Sequence, residues 1–121
     1  MAVILVVEDD AFIREVAEMM IEDWGHQILS ANDVGEGLAQ LRSSQHIDAL
    51  FTDIYLKRAV LGGCDLASEA IKLRPGLRVL YTTGNFVTEQ MKSLFVAGSE
   101  CLGKPYTQNQ LQSSVEHMLA A

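Results

Sequence analysis

The chain has 121 residues, 49% of them apolar and 21% charged, with a net charge of −7 at neutral pH. That is enough chain for one hydrophobic core and too little for two, and the apolar fraction excludes a disordered polypeptide. The acidic balance argues against unaided binding to nucleic acid or an anionic membrane, and no apolar run approaches the roughly 20 residues of a membrane span.

Met1-Ala2 leads directly into a strand-like run, with neither the basic stretch nor the cleavage site of a secretory signal. Cys64 and Cys101 have no metal-ligand or disulfide-scaffold spacing. Together these features read as a cytoplasmic chain with free, mostly buried thiols.

Val3–Val7 is a continuous run of valine, isoleucine and leucine, the mark of a strand buried on both faces of a parallel sheet. Glu8-Asp9-Asp10 follows it. A helix is expected over Ala11–Asp23, with Phe12, Ile13, Val16, Ala17, Met20 and Ile21 on its core face and Gly25 stopping it. Gln27–Ala31 reads as a short strand. Asn32 or Asp33 can cap a second helix carrying Val34, Leu38 and Leu41. Gly35 and Gly37 each cost that helix roughly 1 kcal/mol relative to alanine, so it should be short.

A third strand is expected over 47–52, ending at Asp53. The stretch 57–63 has no clear period and reads as a loop closing on Gly62-Gly63. A helix over 64–72 follows, ended by Pro75-Gly76, then a strand over 77–82 and a fourth helix over 86–97. Glu100–Gly103 is a short fifth strand. Thr107-Gln108-Asn109-Gln110 has the form of a capping box and opens a last helix whose face is Leu111, Val115, Met118 and Leu119. Strands alternating with helices in this way predict βαβ units and a parallel sheet in one domain over residues 1–121.

In open parallel α/β sheets, ligands sit outside the carboxyl ends of the strands. Four strand-like runs here end in groups that can converge on that rim: Glu8-Asp9-Asp10, Asp53, Thr82-Thr83-Gly84 and Lys104-Pro105. Carboxylates gathered in a crevice repel one another unless a cation intervenes, and Mg²⁺ prefers hard oxygen ligands. Asp10 is placed to cap the first helix, which leaves Glu8 and Asp9 as the better metal ligands. Asp53 is a candidate nucleophile for an aspartyl-phosphate. Lys104 can serve as a point charge for phosphoryl oxygens. Thr83 offers a hydroxyl, and Gly84 a backbone N–H that a ligand can approach. There is no P-loop. Gly35-Glu36-Gly37 lacks the third glycine of a dinucleotide loop, and His26, His46 and His117 are dispersed.

Ile4-Leu5-Val6-Val7-Glu8-Asp9-Asp10, Thr52-Asp53-Ile54-Tyr55-Leu56, Tyr81-Thr82-Thr83-Gly84 and Lys104-Pro105-Tyr106, in that order, resemble the motifs of response-regulator receiver domains of two-component signalling. The resemblance covers the whole chain. It implies a flavodoxin-like, doubly wound sheet with strand order 2-1-3-4-5 and Asp53 as phosphoacceptor. It further implies Mg²⁺ held by Glu8, Asp9, Asp53 and the backbone carbonyl of Tyr55, with Asp9 the direct ligand of the acidic pair. Thr83, Gly84 and Lys104 would contact the phosphoryl group. Counting from Val79 favours Thr83 over Thr82. The implied donor is a histidine kinase or phosphotransfer protein. A downstream protein would bind the face of the fourth helix, fifth strand and last helix.

The sequence departs from the family pattern in three places. Lys57 stands where proline is usual, the loop from there to Gly63 is longer, and the fifth strand carries Cys101-Leu102 without an aromatic residue. The first two departures predict a mobile loop over 57–62. The third predicts that residues 84–87, with Phe86, carry the signal away from the site. The reading is a stand-alone phosphoacceptor that turns over no external substrate. Its rivals are an interaction module that is never phosphorylated and a phosphohydrolase with an aspartyl intermediate. Such an enzyme commonly carries a second acid two residues beyond its nucleophile, where this chain has Tyr55.

Overall fold

Ile4, Leu5, Val6 and Val7 are at most 1% exposed, so the strand they form is covered on both faces. A computed structural model describes residues 1–56 and 60–120. Its strands are β1 (Val3–Val7), β2 (Gln27–Ala31), β3 (Ala49–Asp53), β4 (Arg78–Thr83) and β5 (Glu100–Gly103). Its helices are α1 (Ala11–Asp23), α2 (Val34–Leu41), α3 (Gly62–Leu73), α4 (Glu89–Lys92) and α5 (Gln108–Ala120). The sheet is parallel with order β2-β1-β3-β4-β5, the flavodoxin-like order expected from the resemblance. Among the described residues, no helix is long and apolar enough to cross a membrane.

Strand alternation divides the core in two. Leu5, Val7, Leu50, Val79 and Tyr81 face Leu41, Leu66, Ala67, Ala70 and Met91. Ile4, Val6, Ala49, Phe51 and Leu80 face Ala17, Ile21, Leu111, Val115 and Met118 on α1 and α5. Gly37, a cost to α2 on propensity alone, has a packing reason. A Cβ there would stand 3.1 Å from a Leu66 methyl, so the glycine lets α2 and α3 approach.

Caps set several boundaries. Asp33 accepts the Glu36 N–H at 2.8 Å, and the Glu36 carboxylate accepts the Asn32 N–H at 2.7 Å. This helix of eight residues contains two glycines and therefore leans on its cap. Asp33→Ala is expected to cost about 1 kcal/mol in urea unfolding. The capping box of α5 forms as expected: Thr107 accepts the Gln110 N–H at 3.1 Å and the Gln110 amide accepts the Thr107 N–H at 2.8 Å. At its other end, Arg78 Nη1 donates to the carbonyls of Met118 and Leu119 at 3.0 and 2.9 Å.

Four expectations need correction. First, the fourth helix covers Glu89–Lys92 rather than 86–97. Thr88 caps it, and beyond it the Val96 N–H goes to the Tyr81 hydroxyl at 3.1 Å while the Phe95 ring stacks on Tyr81 with centroids 4.4 Å apart. Packing against β4 thus outcompetes the helical ladder. Second, the core stripe of α1 is narrower than expected. Ala17 and Ile21 are buried, but Phe12 is 76% exposed and lines a groove with Pro105 and Tyr106 instead of meeting the sheet. Third, Cys64 is buried but Cys101 is exposed, because β5 is an edge strand and one of its faces meets solvent. Fourth, α3 begins at Gly62, two residues before the expected start, with Leu61 ahead of it in the left-handed region at φ 59°. Of the stretch 57–62 expected to be mobile, residues 57–59 lie outside the described residues.

Candidate functional site

Glu8 follows β1, and its N–H still pairs with the Ala31 carbonyl at 3.2 Å, so the sheet fixes the backbone that carries its carboxylate. Asp53 closes β3 one strand away, in register with Thr82 of β4. Glu8 and Asp53 are 5% and 6% exposed, and Asp9 is half-buried beside them. One carboxylate oxygen from each of Glu8, Asp9 and Asp53 lies within 4.8 Å of the others. This all-oxygen donor set suits Mg²⁺. Asp10 faces away and caps α1, accepting the Ile13 N–H at 3.1 Å, while its own N–H reaches Glu8 Oε2 at 3.2 Å.

Lys104 bridges the two buried acids, with Nζ 2.5 Å from Glu8 Oε1 and 2.8 Å from Asp53 Oδ2. Its N–H donates to the Thr83 carbonyl at 2.8 Å, which ties the chain after β5 to the end of β4. Burial, with repulsion from Asp53 added, pushes the Glu8 carboxyl up to about 7 against the hydrogen bonds from Lys104 and from the Asp10 N–H. Burial works against the charge on Lys104, but its bonds to Asp53 and Glu8 outweigh that and raise it. The lysine therefore stays charged and acts as the counter-ion of the acid pocket.

Thr83 is 2% exposed and its hydroxyl accepts the Asn85 N–H at 3.1 Å, so it is joined to the turn that follows β4. Gly84 stands exposed beside Lys104, where a Cβ would lie 3.9 Å from that of the lysine. The Tyr55 N–H reaches Asp53 Oδ1 at 3.3 Å. Strand ends thus bring Glu8, Asp9, Asp53 and Lys104 into one cluster, with Thr83, Gly84 and Tyr55 around it.

Sequence reasoning missed two supports. A Cβ on Gly63 would fall 1.9 Å from the carbonyl oxygen of Asp53, so α3 starts directly against the backbone of the acid. Gly62-Gly63 is the signal, which in the sequence marks only the end of a loop. Arg14 Nη1 donates to the Glu8 carbonyl at 2.9 Å and to the Asn32 amide oxygen at 3.2 Å, holding the end of β1 from α1. Nothing in the one-dimensional pattern set that arginine apart from other helical surface residues. Beside the cluster runs an apolar groove of about 470 Å³, lined among others by Phe12, Ile13, Val16, Gly84, Lys104 and Tyr106.

The family profile described as "Response regulator receiver domain" matches residues 4–116. The chain is 29% identical to the sensor histidine kinase AruS of Pseudomonas aeruginosa over 117 residues, which are 93% of this chain and 11% of that protein. It is also 29% identical to the transcriptional regulatory protein ZraR of Escherichia coli over 118 residues, 97% of this chain and 26% of that one. The chain therefore spans a minor part of both relatives. Among solved structures, a response regulator receiver protein from Sinorhizobium medicae superposes with a TM-score of 0.90 at 27% identity, covering 99% of this chain and 95% of that one. A receiver domain protein from Methanospirillum hungatei gives a TM-score of 0.88 at 27% identity, covering 99% and 94%.

Proposed function

The chain belongs to the response-regulator receiver domain family, and from that premise we propose that it is a phosphoacceptor in two-component signalling, modified on Asp53. The observation that carries this reading is the cluster itself: a buried carboxylate at a strand end, two further acids within 4.8 Å and a lysine 2.8 Å from its Oδ2. In the proposed step a carboxylate oxygen of Asp53 attacks the phosphorus of a phosphohistidine. The P–N bond breaks, its electron pair leaves on the imidazole, and an acyl phosphate remains. Hydrolysis by water would later restore the carboxylate.

Lys104 has two parts in this reading. Before transfer it masks one oxygen of Asp53. As the phosphoryl group arrives it exchanges that oxygen for a phosphoryl oxygen, keeping its charge paired throughout. The Thr83 hydroxyl and the Gly84 N–H are the other donors at that rim. Glu8, Asp9, Asp53 and the Tyr55 carbonyl would hold Mg²⁺, whose chemistry there is to neutralise charge on the phosphoryl oxygens. The protein contributes position and electrostatics, and no turnover of an external substrate is part of the reading. Intact mass with a small phosphodonor tests it. One phosphoryl group should be added in the presence of Mg²⁺, less with chelator, and none to Asp53→Asn. Phosphorylation that persists on Asp53→Asn would overturn it.

A histidine kinase or phosphotransfer protein is the proposed donor. To reach Asp53 it must cover the carboxyl edge of the sheet, where Phe12 and the groove against Tyr106 lie exposed. Phe12→Asp is expected to slow transfer from a protein donor about tenfold, the equivalent of ~1.4 kcal/mol, and to slow uptake from a small phosphodonor much less. Parallel rate measurements with the two donors decide this. Downstream, the face formed by α4, β5 and α5 remains the proposed partner surface.

A further inference from the structure

Thr82 is 3% exposed, yet its hydroxyl oxygen has no hydrogen-bond partner among the described residues. The buried Arg14 Nε is in the same condition; its nearest carboxylate, that of Glu18, stands 4.0 Å away. Both residues line one small cavity of about 10 Å³ behind the acid pocket, together with Glu8, Phe51 and Tyr106. A buried polar group left unpaired bears the loss of its hydration with nothing in return. Arg14 Nε is a donor and the Thr82 hydroxyl can accept, and the two residues line the same space.

We propose that this cavity is a binding site for a single structural water that joins Arg14 of α1 to Thr82 of β4 and fixes the floor beneath Glu8. The volume admits about one water and nothing larger. A cation is excluded by the guanidinium, and the apolar sides supplied by Phe51 and the valines of β1 give no other donor. The Arg14 Nε–H donates to the water, which in turn donates to or accepts from the Thr82 hydroxyl, with Glu8 lining the remaining side. Arg14 already holds the Glu8 carbonyl through Nη1, and the Thr82 carbonyl accepts the Ile54 N–H at 2.9 Å, next to Asp53. The water would therefore connect the backbone supports of two of the three clustered acids. It makes Arg14 and Thr82 positioning residues, separate from the groups proposed to touch the phosphoryl.

The metal arm of the test rests on the function proposed above, and the hydration arm does not. In the full chain, the Arg14 Nε–H should give a slowly exchanging NMR signal with a cross-relaxation contact to a long-lived water. Thr82→Val should abolish that contact, lower the melting temperature and weaken Mg²⁺ binding about fivefold, roughly the effect of one net hydrogen bond. Thr82→Ser should retain all three. A dry cavity gives the opposite sign, because replacing a stranded hydroxyl by a methyl stabilises a protein. A wild-type Arg14 signal without a water contact overturns the proposal, as does a Thr82→Val protein that is more stable and binds Mg²⁺ unchanged. Absence of Mg²⁺ binding by the wild type, with the water contact present, would instead count against the proposed function.

Discussion

Lys104→Met is expected to lower the stability of the metal-free protein by about 3–5 kcal/mol above neutral pH, since it strips the cation from two carboxylates that remain buried. Glu8 and Asp53 are 5% and 6% exposed, too little for water to replace the lost ammonium. The deficit should depend on pH with a definite sign. Glu8 is raised from 4.5 to about 7 in the folded chain. A carboxyl raised on folding adds stability below its unfolded value and loses it as pH rises through the folded one. The variant can therefore shelter by protonating Glu8, and because loss of Lys104 removes two influences that lower this carboxyl, the refuge closes only above the wild-type value of about 7. Mg²⁺ should restore more stability to the variant than to the wild type, in which the ion must compete with Lys104. Urea unfolding at two pH values, with chelator and with Mg²⁺, reads all of this. A deficit independent of both would show that Lys104 is not the counter-ion of the pocket.

Gly63→Ala is expected to be more damaging than alanine at Gly25, Gly35, Gly37, Gly76, Gly84, Gly98 or Gly103. The new Cβ would meet the carbonyl oxygen of Asp53 at 1.9 Å, its carbonyl carbon at 2.8 Å and Ile54 Cα at 2.9 Å. All three are backbone atoms, so no side chain can rotate away, and either β3 or the start of α3 must move. We expect a loss of roughly 3 kcal/mol or failure to fold, at the upper end of overpacking effects. Any folded fraction should be phosphorylated poorly if Asp53 is the acceptor as proposed, because that residue is displaced. Gly103→Ala is the control, since its Cβ meets nothing within 4 Å and should change stability by less than about 0.5 kcal/mol. Equal effects in denaturant unfolding would refute the close approach at Gly63.

What the sequence disclosed follows the range over which each signal acts. The strands were legible because burial on both faces writes itself as unbroken apolar runs, and Val3–Val7 needs no partner to be read. The clustered acids and Lys104 were legible because parallel strands must all end on one rim, so position along the chain became position in space. The short fourth helix was not. Residues 86–97 carry helical spacing, and what stops them is the Tyr81 hydroxyl, 15 residues before its partner Val96. Phe12 was assigned to the core on periodicity, which gives a direction around α1 but not how far the sheet extends beneath it. Gly63 and Arg14 act on backbone carbonyls of Asp53 and Glu8, contacts that leave no trace in the identity of the residue touched.

The fastening of β4 has a mechanical consequence. At its first residue the strand is bolted by Arg78 to the end of α5, and at Tyr81 it is bolted to the backbone at Val96. It is therefore a beam clamped at the root and along its span, and its tip at Thr82-Thr83 is held in turn by pairing with Asp53 of β3 and with Leu102 and Gly103 of β5. A pull applied at Thr83 can bend little of such a beam. It is delivered outward to the turn at Asn85, which hangs from the Thr83 hydroxyl, and to Lys104, which hangs from the Thr83 carbonyl. Displacement at this tip is thus divided between two segments on opposite sides of the same strand end, while the sheet behind it stays still.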